Sequence, residues 1–129
     1  MMTQARAAYL DASIATASPA RLLVMLLERL VLDVQRGLDA LLDDPAEAHR
    51  QLTHAQDIVL ELQGSLRAEE LNGGHQLAAL YGYLHRRLVQ ANVRKDQEVA
   101  AECLTLAGQL RDIWRDAALA AATPISESA

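Results

Sequence analysis

The sequence predicts an all-α fold, an antiparallel up-down four-helix bundle with a short N-terminal segment packing on it. Three observations lead there. The 129 residues are 51% hydrophobic and 22% charged, and Ala, Leu, Gln, Arg and Glu dominate; these side chains lose little freedom in a helix. Apolar residues recur at spacings of three and four over stretches too long for strands. Ser18-Pro19 and Asp44-Pro45 read as helix starts, and no hairpin signal separates apolar segments. A chain of this length fits one domain.

Residues 1–17 form a lead segment carrying Tyr9, Leu10 and Ile14. Ser18 offers its hydroxyl to free backbone N–H groups, and Pro19 fits the first helical position, where its missing N–H is no loss. The first helix is expected over about 19–42, with Leu23, Leu27, Leu30, Val34, Leu38 and Leu41 as its buried stripe. Asp44, Pro45 and Glu47 repeat the start signal as a capping box. The second helix is expected over about 45–71, burying Leu52, Ala55, Val59, Leu62 and Leu66. Asn72-Gly73-Gly74 accepts left-handed backbone angles and stops it. The third helix, about 74–93, buries Leu77, Leu80, Tyr81, Leu84, Leu88 and Ala91. Asp96 caps the fourth, about 97–121, with the stripe Val99, Cys103, Leu106, Leu110, Ile113 and Ala117. The bundle thus takes 18–122, and the polar residues 123–129 are expected to be a disordered tail. Short loops force successive helices to lie antiparallel.

The net charge of −5 and a pI near 5.3 argue against nucleic acid, which needs many Lys and Arg on one face. Cys103, the one cysteine, cannot form an internal disulfide and fits a reducing compartment. The N-terminus lacks a basic-then-apolar signal. The longest apolar run, Leu22 to Leu27, falls far short of the roughly 20 residues that span a bilayer. No membrane insertion is expected, and the expected location is cytoplasmic. The pattern leaves the oligomeric state open.

A carboxylate-bridged di-metal site needs Glu-x-x-His on two helices, and no Glu here has His three residues later. No metal and no cofactor are expected. Histidine phosphotransfer is the alternative function, because His54 and His85 are mid-helix and Arg86 and Arg87 could balance a phosphate on His85. A solvent-facing polar residue is the preferred reading of both. Cys103 falls on a buried stripe with no base beside it in sequence, and Gly73-Gly74 lacks the Lys-Ser/Thr of a phosphate loop. The chain is therefore not expected to be an enzyme.

Surplus apolar surface remains. At about 100° per residue, Met25 and Leu32 fall opposite the core stripe of the first helix. Leu60 lies well off the core face of the second helix. Tyr83 lies roughly 110° from the core centre of the third, and Leu104 is similarly displaced on the fourth. One exposed leucine means little, but several on different helices point to grooves that another segment covers. The first helix, apolar nearly all round, is the strongest case.

Four motifs now stand in order. The first is Tyr9 followed by Ile14-Ala15-Thr16-Ala17-Ser18-Pro19 and Leu22-Leu23-Val24-Met25-Leu26-Leu27. The second is Ala55-Gln56-Asp57-Ile58-Val59-Leu60-Glu61-Leu62 with Leu66. The third is Leu80-Tyr81-Gly82-Tyr83 with Leu88-Val89-Gln90-Ala91-Asn92, and the fourth is Leu110-Arg111-Asp112-Ile113-Trp114. Together, over about Tyr9 to Trp114, they resemble the flagellar export chaperone FliS family. Leu27 and Arg67 stand where that family usually has Tyr and Asp. The resemblance implies a cytoplasmic chaperone that binds the disordered C-terminal segment of flagellin. It prevents premature polymerisation and delivers flagellin to the flagellar type III export apparatus. The implied groove is Ile58, Leu62, Tyr83, Arg87, Leu88 and Asn92 from the second and third helices, with Met25 and Leu32 added from the surplus surface of the first. Tyr9 and Leu10 are assigned either to cover a groove in the free protein or to contact the export machinery.

Overall fold

The computed structural model describes residues 18–122. The expectations for residues 1–17, Tyr9 and Leu10 among them, and for the tail 123–129 lie outside the described residues. Four α-helices make up most of the described part: α1 (Pro19–Ala40), α2 (Pro45–Ser65), α3 (Gly74–Arg94) and α4 (Gln97–Ala122). Their starts are capped as the sequence signals require. Ser18 Oγ accepts from the Arg21 N–H at 3.2 Å, and Asp44 Oδ1 from the Glu47 N–H at 3.2 Å. Asp96 Oδ1 accepts from the N–H groups of Glu98 and Val99 at 3.0 and 3.2 Å. Each bond satisfies a donor that a helix start otherwise leaves open.

The second helix ends at Ser65, well before the expected Leu71. Two local causes act. The Ser65 hydroxyl donates to the Glu61 carbonyl at 3.0 Å, competing with the helical pattern. Leu66 then turns extended, at φ −75° and ψ 127°, and packs against the core. A single 3-10 turn, Ala68–Glu70, carries the chain to the left-handed Gly73 at φ 77°. The first helix also ends slightly early, at Ala40, where the Leu41 N–H bonds the Leu38 carbonyl at 3.3 Å in a tightened last turn. At the other crossing, Lys95 adopts φ 50°, which suits the residue after a helix end. Its ammonium donates to Asn92 Oδ1 at 2.7 Å.

Each helix packs on its neighbours in sequence, and α4 closes the ring onto α1. This is the up-down four-helix bundle. One end, around the α1–α2 and α3–α4 turns, is closed by fully buried side chains such as Ala48, Leu52, Ala91 and Ala100. The opposite end is looser. There Leu23, Leu66, Leu77, Leu80 and Trp114 are only partly buried. Ile113, expected in the core, is 59% exposed, and Ala117 is exposed too. Both lie alongside the first turns of α3, on the outer side of α4, where they line a cleft with Leu77 and Leu80. Trp114 takes the inward position instead.

Glycines mark how tightly the elements meet. Gly64 on α2 has open space where a Cβ would go. Gly64→Ala is therefore expected to stabilise the chain by about 0.5–1 kcal/mol, read as a higher melting temperature.

Candidate functional site

The surface between α3 and α4 carries a polar clasp. Tyr83, 37% exposed, donates its hydroxyl proton to Glu102 Oε2 at 3.0 Å. Arg87 Nε donates to Glu102 Oε1 at 2.6 Å, and another guanidinium nitrogen of Arg87 donates to Gln90 Oε1 at 2.8 Å. The guanidinium carbon lies 6.0 Å from the centre of the Tyr83 ring, within reach of a cation–π attraction. The hydrogen bonds from Arg87 and Tyr83 hold the Glu102 carboxyl below the usual carboxylate range. The same bond to Glu102 pushes the Tyr83 phenol above its usual range. Glu102 and Arg87 are thus charged at neutral pH while the Tyr83 phenol keeps its proton, and the clasp presents an aromatic face beside a cation.

Below the clasp, towards the loose end of the bundle, an apolar cleft of about 410 Å³ opens between the same helices. Leu71, Leu77, Leu80, Ile113 and Trp114 line it, with Gln76 and Asn72 as polar members. A second groove, of about 380 Å³, lies between α1 and α2 and is lined by Leu22, Met25, Leu26 and Glu61. Both come from side chains that the ring of four helices cannot cover. Surface of this kind accepts the apolar face of another segment.

The structure divides the eight groove residues expected from sequence. Tyr83 and Arg87 stand together on the α3–α4 face. Met25 is half-buried and Leu32 exposed, both on α1. Ile58, Leu62 and Leu88 belong to the buried core, with Leu88 wholly enclosed. Ile58 and Leu88 support the surface from beneath, while Leu62 lines a pocket of about 320 Å³ with Leu23, Leu66 and Trp114. Their apolar positions follow the helical core period, which a groove position on a neighbouring face shares.

Asn92 is buried and works internally. Its Oδ1 accepts from Lys95 Nζ at 2.7 Å and meets His49 Nδ1 at 3.2 Å. Its Nδ2 donates to Thr53 Oγ1 at 3.3 Å and Gln56 Oε1 at 3.1 Å. Two donors and two acceptor sites are all that an amide has. Asn92 thus fastens α3 to α2 and has nothing left for a ligand.

Two polar groups went unnoticed in the sequence. Glu102 meets Tyr83 and Arg87 from another helix, so no local spacing announces it. Asp33 is fully buried on α1, accepts from Arg29 Nε at 2.9 Å, and is met by His54 Nδ1 from α2. The Arg29–Asp33 spacing of four is visible in sequence, and it was the signal available. Among the described residues no three His, Cys, Asp or Glu side chains converge as a metal site. No described helix is long and apolar enough to cross a membrane.

Cys103 sits fully buried under the clasp, and desolvation pushes its thiol up to about 12. A thiol reagent at mildly alkaline pH is expected to leave the folded chain unlabelled and to label it fully once denaturant is added.

Comparison with known proteins decides the family. The model of the family described as flagellar protein FliS matches residues 1–121. The chain belongs to the FliS family. It is also similar to the flagellar secretion chaperone FliS of Bacillus subtilis (strain 168), with 35% identity over 112 residues. That match covers 85% of this chain and 83% of the relative. Membership of the FliS family gives the exposed α3–α4 cleft and the α1–α2 groove a context: both lie within the matched residues.

Proposed function

We propose that the chain is a cytoplasmic flagellar export chaperone that binds the disordered C-terminal segment of flagellin. It keeps that segment from polymerising prematurely and delivers it to the flagellar type III export apparatus. The observation that carries this reading is the apolar α3–α4 cleft, with the Tyr83–Glu102–Arg87 clasp on the same pair of helices, on a chain of the FliS family. The name of the Bacillus subtilis relative, a flagellar secretion chaperone, points the same way.

In this reading Tyr83 and Arg87 meet the client directly, the ring by stacking on apolar side chains and the guanidinium by donating its unused N–H groups. Met25 and Leu32 meet it on α1. Ile58, Leu62, Leu88 and Asn92 hold the helices that frame the grooves. A client that orders on docking buries a large apolar area yet loses much of the gain to ordering, which keeps release possible. The role requires no bond to be made or broken, so neither catalysis nor a cofactor enters it.

A polymerisation assay tests the reading. Equimolar chain is expected to hold purified monomeric flagellin in solution under seeding conditions that otherwise give filaments. Filament growth at an unchanged rate would speak against it.

A further inference from the structure

The chain has two asparagines, Asn72 and Asn92, and the fold treats them oppositely. Asn92 is buried within α3, and its side-chain amide is fully bonded. The β-branched Val93 follows it in the same helix. Asn72 lies outside the helices, in the exposed turn between Ala68–Glu70 and α3. Gly73 follows it, at φ 77°, with nothing within 4 Å of where a Cβ would go. The Gly74 N–H bonds the Leu71 carbonyl at 2.9 Å, and the Leu77 N–H bonds the Gly73 carbonyl at 3.0 Å. The Gly73 N–H itself donates to no described residue.

This arrangement lets the Gly73 nitrogen attack Cγ of Asn72. A new N–Cγ bond closes a five-membered succinimide. The bond from Cγ to the side-chain nitrogen breaks, and ammonia leaves with the proton from the Gly73 nitrogen. Water then opens the ring. Its attack at Cγ gives aspartate. Its attack at the main-chain carbonyl of residue 72 gives isoaspartate, whose main chain runs through the side chain and is longer by an atom. Water is consumed and ammonia released, and no other reactant is needed. A Cβ on the following residue obstructs the ring closure, and helical hydrogen bonds hold the nitrogen in place. Neither obstacle acts at Gly73, and both act at Val93.

We infer that Asn72 is a modification site, converted in the folded chain to aspartate and isoaspartate, and that the isoaspartate form remodels the α3–α4 cleft. Asn72 lines that cleft with Leu71 and Trp114. Two residues on, Gly74 lies so close to the Ala68 backbone that even a Cβ would collide with it. A longer main chain at position 72 therefore moves either the Ala68–Glu70 turn or the first residue of α3. The aspartate form keeps the main chain as it is. It places a negative charge beside the start of α3, where no side chain caps the helix and the charge is favourable.

The full chain is incubated at neutral pH and physiological temperature, and its proteolytic peptides are weighed over time. Position 72 is expected to gain about 1 Da as ammonia is exchanged for water. Its rate is expected to lie within about threefold of that of a free peptide spanning residues 69–77, because an exposed turn gives little protection. Asn92 is the internal control and is expected to keep its mass. An Asn72 that stays intact in the folded chain while the free peptide converts overturns the inference.

The aged forms are then separated by chromatography. Trp114, the one tryptophan, reports on the cleft it shares with Asn72. In the isoaspartate form its emission is expected to shift to the red and the melting temperature to fall. Asn72→Asp is expected to keep the emission of fresh chain and to melt no lower. Asn72→Gln is expected to gain no mass at position 72 and to age without either change. An isoaspartate form that matches fresh chain in emission and melting overturns the remodelling.

Discussion

Ile58→Glu is expected to unfold the chain or strip about 4 kcal/mol from its stability, whereas Tyr83→Ala is expected to leave helix content and melting nearly unchanged. The two residues stood side by side as groove candidates, and the structure separates them by burial. Ile58 lies in the core between helices, where a carboxylate would be stripped of water. The tyrosine is exposed, and its removal leaves Arg87 and Glu102 still bonded to each other. Against a flagellin C-terminal peptide, Tyr83→Ala is expected to weaken binding about tenfold, as truncating an aromatic anchor commonly does. Circular dichroism with thermal melting, followed by titration, checks both halves. A stable Ile58→Glu variant would place that side chain at the surface.

Gly74→Ala is expected to cost about 2–4 kcal/mol, far more than an alanine at most glycine positions. A Cβ there would lie 2.1 Å from the Ala68 carbonyl oxygen, and the Ala68 backbone cannot step aside as a flexible side chain would. The 3-10 turn Ala68–Glu70 packs against the start of α3 at this point. Relieving the clash means moving that turn, and Leu71 with it, away from the apolar cleft. The variant is therefore expected to lose stability and client affinity together. Denaturant unfolding beside the wild-type chain reads the first loss. Gly64→Ala, with nothing near its Cβ, serves as the control of opposite sign.

Much of the bundle was legible in the sequence because its signals are local. Ser18-Pro19, Asp44-Pro45 and Asp96 start helices through bonds within one turn, and those bonds are present. The stripes of α1 and α2 are set by a period that needs no knowledge of the neighbours. The misplaced end of α2 shows the limit: Arg67 to Leu71 suit a helix, and the chain leaves it because Leu66 is drawn to the core. Ile113 shows another, since the inward position in its turn goes to Trp114, one residue on.

The candidate site was less legible. Tyr83 and Arg87 were visible as a pair one turn apart, but Glu102, which orders both, comes from another helix. Ile58, Leu62 and Leu88 look alike in sequence whether they face a groove or the core. Asn92 reads as a polar group at a helix edge until its four partners are in place.

The most direct measurement is calorimetric titration of the full chain with a peptide covering the C-terminal segment of flagellin, repeated at several temperatures. Client capture by folding onto apolar grooves predicts one-to-one binding with a large negative heat-capacity change. Absence of heat at every temperature, together with no co-elution of peptide and chain, would contradict it.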